Sequence, residues 1–424
     1  MSDLQSALEF LTSQSEVSLA VLFWYTLIFD VPRYVAVFAS LALAEFFVDP
    51  RARGSSPAPD YSRVSVIIAG LNEADTIERC VRSLREQSVQ GFEIVIVSDG
   101  STDAMPENIR NLAREGVVDS VFDMDLRGGK PAALNLAAGA AKGDVIIVAD
   151  SDCSFDRFAI ERILEPFCDA GIGAVSGDVV VRNARQSLIA RFQFIEYLFS
   201  ISVGKRFDDA LGLVKCISGA FGAFRRSAIE QIAGFDAGSG EDLDLTLRLR
   251  AAGWRIAFAP EAVVYTAVPT SLWRLFRQRL RWEGDAMGLR FRKHRSLMQG
   301  TTSRFNIVEA IHQWEFLFFS VVGALMLPVY VAWLLSLYGS FALIVLMSME
   351  IGLMGLNVIM LLLAGVITGR PIVSENILYV PGYTLFNSLI MRNIRLIAYV
   401  EEWFRFRSLR DNYAPRKVRE VLRW

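Results

Sequence analysis

The sequence predicts an α/β domain with a largely parallel sheet, carried between α-helical membrane segments. Three observations point there. Hydrophobic residues make up 53% of the 424. Three apolar stretches are each long enough to cross a bilayer, which takes about 20 residues. Between them the chain alternates short, wholly apolar runs with helical patterns. The runs are "RVSVIIAG" (63–70), "FEIVIVSD" (92–99) and "DVIIVAD" (144–150), and helices are expected near 74–88, 104–115 and 131–141. Strands apolar on both faces belong to a sheet covered on both sides, the setting of parallel strands.

The apolar stretches run from about Val17 to Val48, Phe316 to Leu337 and Phe341 to Ile367. No Lys or Arg precedes Arg33 and the first stretch is too long for a cleaved leader, so it reads as an anchor. Asp3, Glu9 and Glu16 lie before it, while Arg51, Arg53 and Arg63 follow. The positive-inside rule then puts the amino terminus outside and everything from residue 50 in the cytoplasm. "RFRKHR" (290–295), just before the second stretch, agrees. Asp30 and Arg33, three apart in the first stretch, read as an intrahelical pair. Glu350 and Asn357 share one face of the third, either bonding another helix or lining a polar path. Residues 377–403 place Ser388, Arg392, Arg395 and Glu402 on one helical face, which suggests an interfacial helix rather than a fourth span.

The expected division is a membrane helix (1–49), a linker (50–60) containing "SSPAPD", the α/β domain (61–268), amphipathic interface helices (269–312), two membrane helices (313–370), and an interfacial helix with a cytoplasmic tail (371–424). A net charge of −2 gives no pull toward nucleic acid. Four cysteines lack metal or disulfide spacing, which argues against a zinc or disulfide scaffold.

In parallel sheets ligands bind beyond the carboxyl ends of the strands. There the sequence sets "AGLNE", "SDGSTD" and "ADSD", which bring Asn72, Glu73, Asp99, Asp150 and Asp152 to one rim. So many carboxylates need a cation between them. Lys130, in "RGGKPAALN", follows two glycines at a helix start and can cradle phosphate, although a plain turn gives the same pattern. In "GEDLDLTLRLRAAGW" (240–254) the leucines alternate as in a strand, yet they also form i,i+4 pairs, with acids first and arginines last. A helix is therefore expected, with Glu241 and Asp242 in its first turn as catalytic candidates, or simply as a solvated helix start. "SLWRLFRQRLRW" (271–282) reads as an amphipathic helix at the membrane surface, capped by Ser271. Gln278, Arg281 and Trp282 share one of its faces.

The ordered set "SDGSTD", "ADSD", "GED" and "QRLRW" resembles the membrane-bound family 2 glycosyltransferases that build β-linked polysaccharides. These include cellulose, hyaluronan, chitin-oligosaccharide and poly-N-acetylglucosamine synthases. The last type looks nearest, because "AVSGDVVVRNA", "FQFIEY" and "SGAFGAFRRSAI" are similar too. The resemblance covers about residues 61–300 and implies a cytoplasmic GT-A-like (Rossmann-like) domain that transfers sugar from a UDP-sugar with inversion. It implies that Asp99, aided by Asn72 and Glu73, holds the uridine, and that Asp150 and Asp152 bind Mg2+ or Mn2+. Asp242 would be the general base, Gln278 and Arg281 would touch the diphosphate, and Trp282 the acceptor sugar. It further implies a glycan or lipid-linked acceptor, a bacterial inner or plasma membrane, and a possible membrane partner subunit or homo-oligomer. Leu71 and Gly240 stand where the family commonly has tyrosine and threonine. "NYAPRK" (412–417) reads either as a segment closing over the donor or as a surface tail.

Overall fold

The computed structural model describes residues 9–10, 12–32, 35, 41, 63–236, 238–299 and 307–420. It divides into two compact units, one of 51–310 with 401–424, the other of 1–50 with 311–400. The linker expected at 50–60 and Arg33 lie outside the described residues.

The larger unit is built on one eight-stranded sheet. Its strands are β1 Val64–Gly70, β2 Glu93–Ser98, β3 Ser120–Asp123, β4 Val145–Asp150, β5 Ser154–Phe155, β6 Ile172–Val181, β7 Phe221–Arg225 and β8 Arg255–Thr266. Their order across the sheet is β3-β2-β1-β4-β7-β6-β8-β5. The first four are mutually parallel, as the apolar runs predict. Beyond β4 the sheet is mixed: β7 runs antiparallel to both β4 and β6, while β8 runs parallel to β6.

Every residue of β1 is buried, and alternate side chains feed two separate cores. Val64, Val66 and Ile68 join helices α1 (Ile77–Arg85) and α2 (Met105–Arg114) on one face. Ile67 and Ala69 join Ala133, Leu134 and Ala137 of α3 (Lys130–Ala140) on the other. Each fully buried aliphatic side chain contributes about 1.5–3 kcal/mol.

The alternating leucines form helix α4 (Glu241–Ala251), and its surroundings explain the strand-like pattern. Leu245 and Leu249 pack on the sheet, whereas Leu243 and Leu247 pack on Leu289. A helix buried on two opposite sides carries leucine on both. Its amino end begins at Gly240, whose φ of 73° is left-handed and whose Cβ, if present, would lie 3.0 Å from Leu289 Cδ1. Threonine does not fit there. The "QRLRW" segment lies in helix α5 (Leu272–Gly288), which Ser271 caps by accepting from the Arg274 N–H. Leu275, Leu280 and Met287 bury its inner face, while Leu272 and Trp273 stay exposed.

In the smaller unit, helices α6 (Gly323–Tyr338) and α7 (Phe341–Thr368) hold the second and third apolar stretches. The helical runs 309–338 and 341–368 are long enough to cross a membrane, and their most apolar 18-residue windows have mean hydropathies of 2.1 and 2.3. Only 33% and 28% of their most apolar windows are buried, so most of that apolar surface faces outward. Leu22, Tyr25 and Phe29 of the amino-terminal helix pack on Tyr330, Leu334, Val345 and Met349. The Tyr25 hydroxyl donates to the Gly323 carbonyl at 2.9 Å and that of Tyr330 to the Leu22 carbonyl at 2.7 Å.

The expected partner of Asp30, Arg33, lies outside the described residues, but Asp30 has another. Asp30 pairs with Arg392, 362 positions away, at 2.5 Å. Tertiary packing supplies a partner with both groups buried, which screens neither from the other. The helical run through Val380–Leu385 and Phe386–Met391 into α8 (Arg392–Arg405) is amphipathic as read, but its polar side points inward. Thr384 accepts from Asn357 Nδ2 at 2.9 Å, Ser388 hydrogen-bonds Glu350, and Arg392 holds Asp30. Leu385, Leu389 and Ile397 face outward. The run's polar groups find partners on neighbouring helices while its apolar side chains stay exposed. Glu350 and Asn357 thus bond a neighbouring helix.

Candidate active site

The sheet brings three strand ends level: Gly70 pairs with Ser98 across β1 and β2, and Ala69 with Asp150 across β1 and β4. The loops beyond them fix one another. Asn72 sits at a left-handed φ of 58°, tolerable for asparagine. Its N–H donates to Ser101 Oγ at 3.0 Å and its Oδ1 accepts from the Thr102 N–H at 2.8 Å. Glu73 accepts from Thr76 Oγ1 at 2.9 Å; burial raises its carboxyl above the ordinary value against that bond, and Asp152, Asp150 and Asp103 add to the rise.

Asp99 is buried and its carboxylate faces the glycine loop. Oδ1 accepts from the Gly128 N–H at 2.6 Å, and Oδ2 from the Gly129 N–H at 2.9 Å. Its direct contacts therefore shape the turn that launches α3.

Lys130, the first residue of α3, reaches back over the rim. Its Nζ lies 2.8 Å from Asp150 Oδ1 and 2.9 Å from Glu241 Oε1. Burial alone would lower the ammonium, but the two carboxylates outweigh it and hold it well above its usual range. Asp152 has no such partner in hydrogen-bonding reach. Burial and the neighbouring Asp150 raise it above the ordinary carboxylate value, while its backbone carbonyl accepts from Arg182 at 3.0 Å.

The first turn of α4 separates its two carboxylates. Glu241 would be raised by burial, yet Lys130 holds it below its usual value. Asp242 is pushed up to about 6, first by burial and then by the charge of Glu241, with Lys130 opposing. Its Oδ1 accepts from the Leu243 N–H at 2.7 Å. Against it runs the strap "CISGA" (216–220). There the Ala220 carbonyl accepts from the Asp150 N–H at 3.2 Å, and a Cβ on Gly219 would lie 3.3 Å from Asp242 Oδ2 and 3.5 Å from Lys130 Nζ.

On α5, Gln278 and Arg281 line an open cleft of about 700 Å³ together with Arg274, Arg277, Arg410 and Tyr413. Trp282 follows Arg281 on the same helix. It does not line the cleft, and its ring lies 4.4 Å beneath the Arg279 guanidinium, itself bonded to Glu196 at 2.7 Å.

The tail also comes to this site. Arg281 lies 3.9 Å from the centroid of the Tyr413 ring, and the Arg127 guanidinium donates to the carbonyls of Asn412 and Tyr413. Burial pushes the Tyr413 phenol up to about 12. A further cavity of about 190 Å³ lies between Gly129, Lys130, Asn135, Phe235, Tyr413 and Pro415. Gly219 and Lys205, which bonds the strap from behind, escaped the sequence reading. "SGAFGAF" carried the resemblance without marking a site, and a lysine flanked by "SISVG" gives no local signal.

Residues 59–284, more than half of the chain, match the model described as glycosyltransferase like family 2. The chain belongs to this family. A poly-β-1,6-N-acetyl-D-glucosamine synthase of Staphylococcus aureus (strain MSSA476) is 32% identical over 245 residues, 57% of this chain and 58% of that protein. This chain thus spans about three-fifths of that relative's length. An N-acetylglucosaminyltransferase of Azorhizobium caulinodans is 29% identical over 287 residues, covering 62% of this chain and 72% of the relative. The solved mannosyltransferase of Pyrobaculum calidifontis, in complex with GDP-Man and Mn2+, shares the fold at a TM-score of 0.60 and 20% identity, covering 88% of this chain and 97% of that one. The family 2 domain therefore has the GT-A-like fold that the motifs implied.

Proposed function

We propose that this family 2 glycosyltransferase moves a sugar, with inversion, from a UDP-sugar to a growing β-linked glycan at the inner face of a membrane. N-acetylglucosamine is the sugar that the Staphylococcus and Azorhizobium relatives' names support. The observation that carries the reading is the convergence of Lys130, Asp150, Glu241 and Asp242 at the strand ends, beside the arginine-lined cleft.

Asp242 takes the proton of the acceptor hydroxyl. The freed oxygen attacks the anomeric carbon from the side opposite the diphosphate, the bond from that carbon to the diphosphate breaks, and UDP leaves with the electron pair. Arg281 and Gln278 meet the growing charge on the leaving group. Glu241 and Asp150 together fix Lys130 at the rim. Asp99 contributes indirectly, by holding the glycine turn under the donor.

Asp150 and Asp152 would hold Mg2+ or Mn2+. Their carboxylate oxygens suit a hard divalent cation. Such an ion, bound by these carboxylates, would supply charge neutralisation for the leaving diphosphate.

The outward-facing apolar helices support residence in a bilayer. The arginines after the first helix support a cytoplasmic transfer domain. UDP release from the detergent-purified chain, measured over a panel of UDP-sugars with and without EDTA, tests donor and metal, and product length separates a polymer from a single addition. Asp242→Asn is expected to lower kcat by about 10²–10⁴-fold while UDP-sugar binding by calorimetry persists. Unimpaired turnover would remove Asp242 from the chemistry.

A further inference from the structure

Behind the 216–220 strap lies a buried lysine that the transfer chemistry leaves unused. Lys205, on the helix Gly204–Ala210, is 9% exposed. Its Nζ donates to Ser176 Oγ at 2.9 Å and to Ser218 Oγ at 2.7 Å, and the Ser218 N–H donates to the same Ser176 hydroxyl at 3.1 Å. Both of its partners are neutral. Burying an ammonium without a carboxylate in contact costs several kcal/mol, and burial lowers the Lys205 ammonium below its usual value against the acidic groups around it.

The acidic groups that face it are the Cys216 thiol, Asp242, Asp178 and Asp208. Asp178 accepts from Ser202 Oγ at 2.7 Å, and Asp208 lies 3.5 Å from Lys215. Burial pushes Cys216 up to about 12, which keeps it a neutral thiol. Asp242 is left. It faces Glu241 on its own helix, Lys130 from α3 and Lys205 from behind the strap. Lys130 is committed to Asp150 and Glu241.

We propose that Lys205 is a positioning residue for the acceptor base: it pins Ser218, and so Gly219, against Asp242, and its ammonium keeps that carboxylate ionised at neutral pH. The proposal rests on the reading of Asp242 as the base. Ser218 precedes the glycine that abuts both Asp242 and Lys130, so one side chain supports the strap mechanically and the base electrostatically.

Initial rates of transfer from UDP-N-acetylglucosamine, taken from pH 5.5 to 9 on the full chain in detergent, test it. In the wild type the rate falls as pH drops through about 6, where Asp242 takes up its proton. Lys205→Met, similar in volume but uncharged, is expected to move that limb upward. A displacement of about one unit lowers the rate at pH 6.5 about threefold and leaves the rate at pH 8.5 within about twofold. Lys205→Arg keeps the wild-type limb, and Ser218→Ala lowers kcat at every pH without moving it. If Lys205→Met does not fold, these last two carry the test: a limb displaced in Lys205→Arg, or in Ser218→Ala, overturns the proposal. A Lys205→Met profile that falls uniformly with its limb in place overturns it as well. Should Asp242→Asn retain transfer, the base assignment itself fails. Loss of transfer in Asp242→Asn with an unmoved limb in Lys205→Met fails Lys205 alone.

Discussion

Neighbouring carboxylates in this site do different work because each has a different set of neighbours. Glu241 and Asp242 are adjacent in sequence and equally suited to a helix's first turn, but Lys130 reaches only one of them directly. Under the proposed mechanism a proton released by the acceptor goes to Asp242, the group whose affinity for it lies nearer neutrality. The sign follows: a raised carboxyl is protonated below about 6, so catalysis is lost toward acid and kept toward base. Gly219 is a second residue-scale constraint. A methyl group there stands 3.3 Å from Asp242 Oδ2, closer than carbon and oxygen ordinarily pack, and must displace the base or the strap. Gly219→Ala is expected to lower kcat about tenfold or more with donor affinity little changed, since small displacements of a reacting group cost up to about 10²-fold. Wild-type kcat in that variant would show that the strap has room to spare.

Helix α4 shows how an element resolves an ambiguous pattern. Leucine at every second position has the period of a strand, and only the end signals argued for a helix. Its two buried stripes remove the conflict, one against the sheet and one against Leu289. The second stripe joins α4 to the segment that follows α5, so it couples the base to the helix bearing Arg281. Leu247→Ala, fully buried, is expected to cost about 2–5 kcal/mol, read as a lowered melting temperature in detergent. It should also weaken turnover more than Leu272→Ala, which truncates an exposed side chain. Equal effects from the two would mean that the second stripe is not a packed interface. The tail is the other element that acts by where it lands. Nothing in "NYAPRK" specifies the glycine loop or Arg281 as its partners, yet Tyr413 and Pro415 meet both.

At the scale of the molecule, each unit has its own way of keeping charge inside. The transfer unit gathers carboxylates at an open rim and balances them with one lysine. The other unit seals Asp30 against Arg392 among apolar helices, both nearly buried. Removing one partner of such a pair strands a charge, at about 3–5 kcal/mol, whereas replacing both with apolar groups costs far less. Asp30→Leu is expected to lower the melting temperature of that unit in detergent, and adding Arg392→Leu to restore most of it. A single variant as stable as the wild type would show that the pair contributes nothing to holding these helices together.

Periodicity and local chemistry determined a great deal. The parallel half of the sheet, the helix with two leucine stripes, the two long apolar helices and the family itself were legible in apolar runs and short motifs, because each depends on neighbours within a few residues. The antiparallel insertion of β7, the pairing of Asp30 with Arg392, the inward-facing polar side of the last long helix, and the places of Lys205, Gly219 and Tyr413 were decided only by tertiary structure. Each of these joins groups tens to hundreds of positions apart, and the force between two charges or two surfaces depends on their separation in space and on the medium between them. Sequence spacing encodes neither.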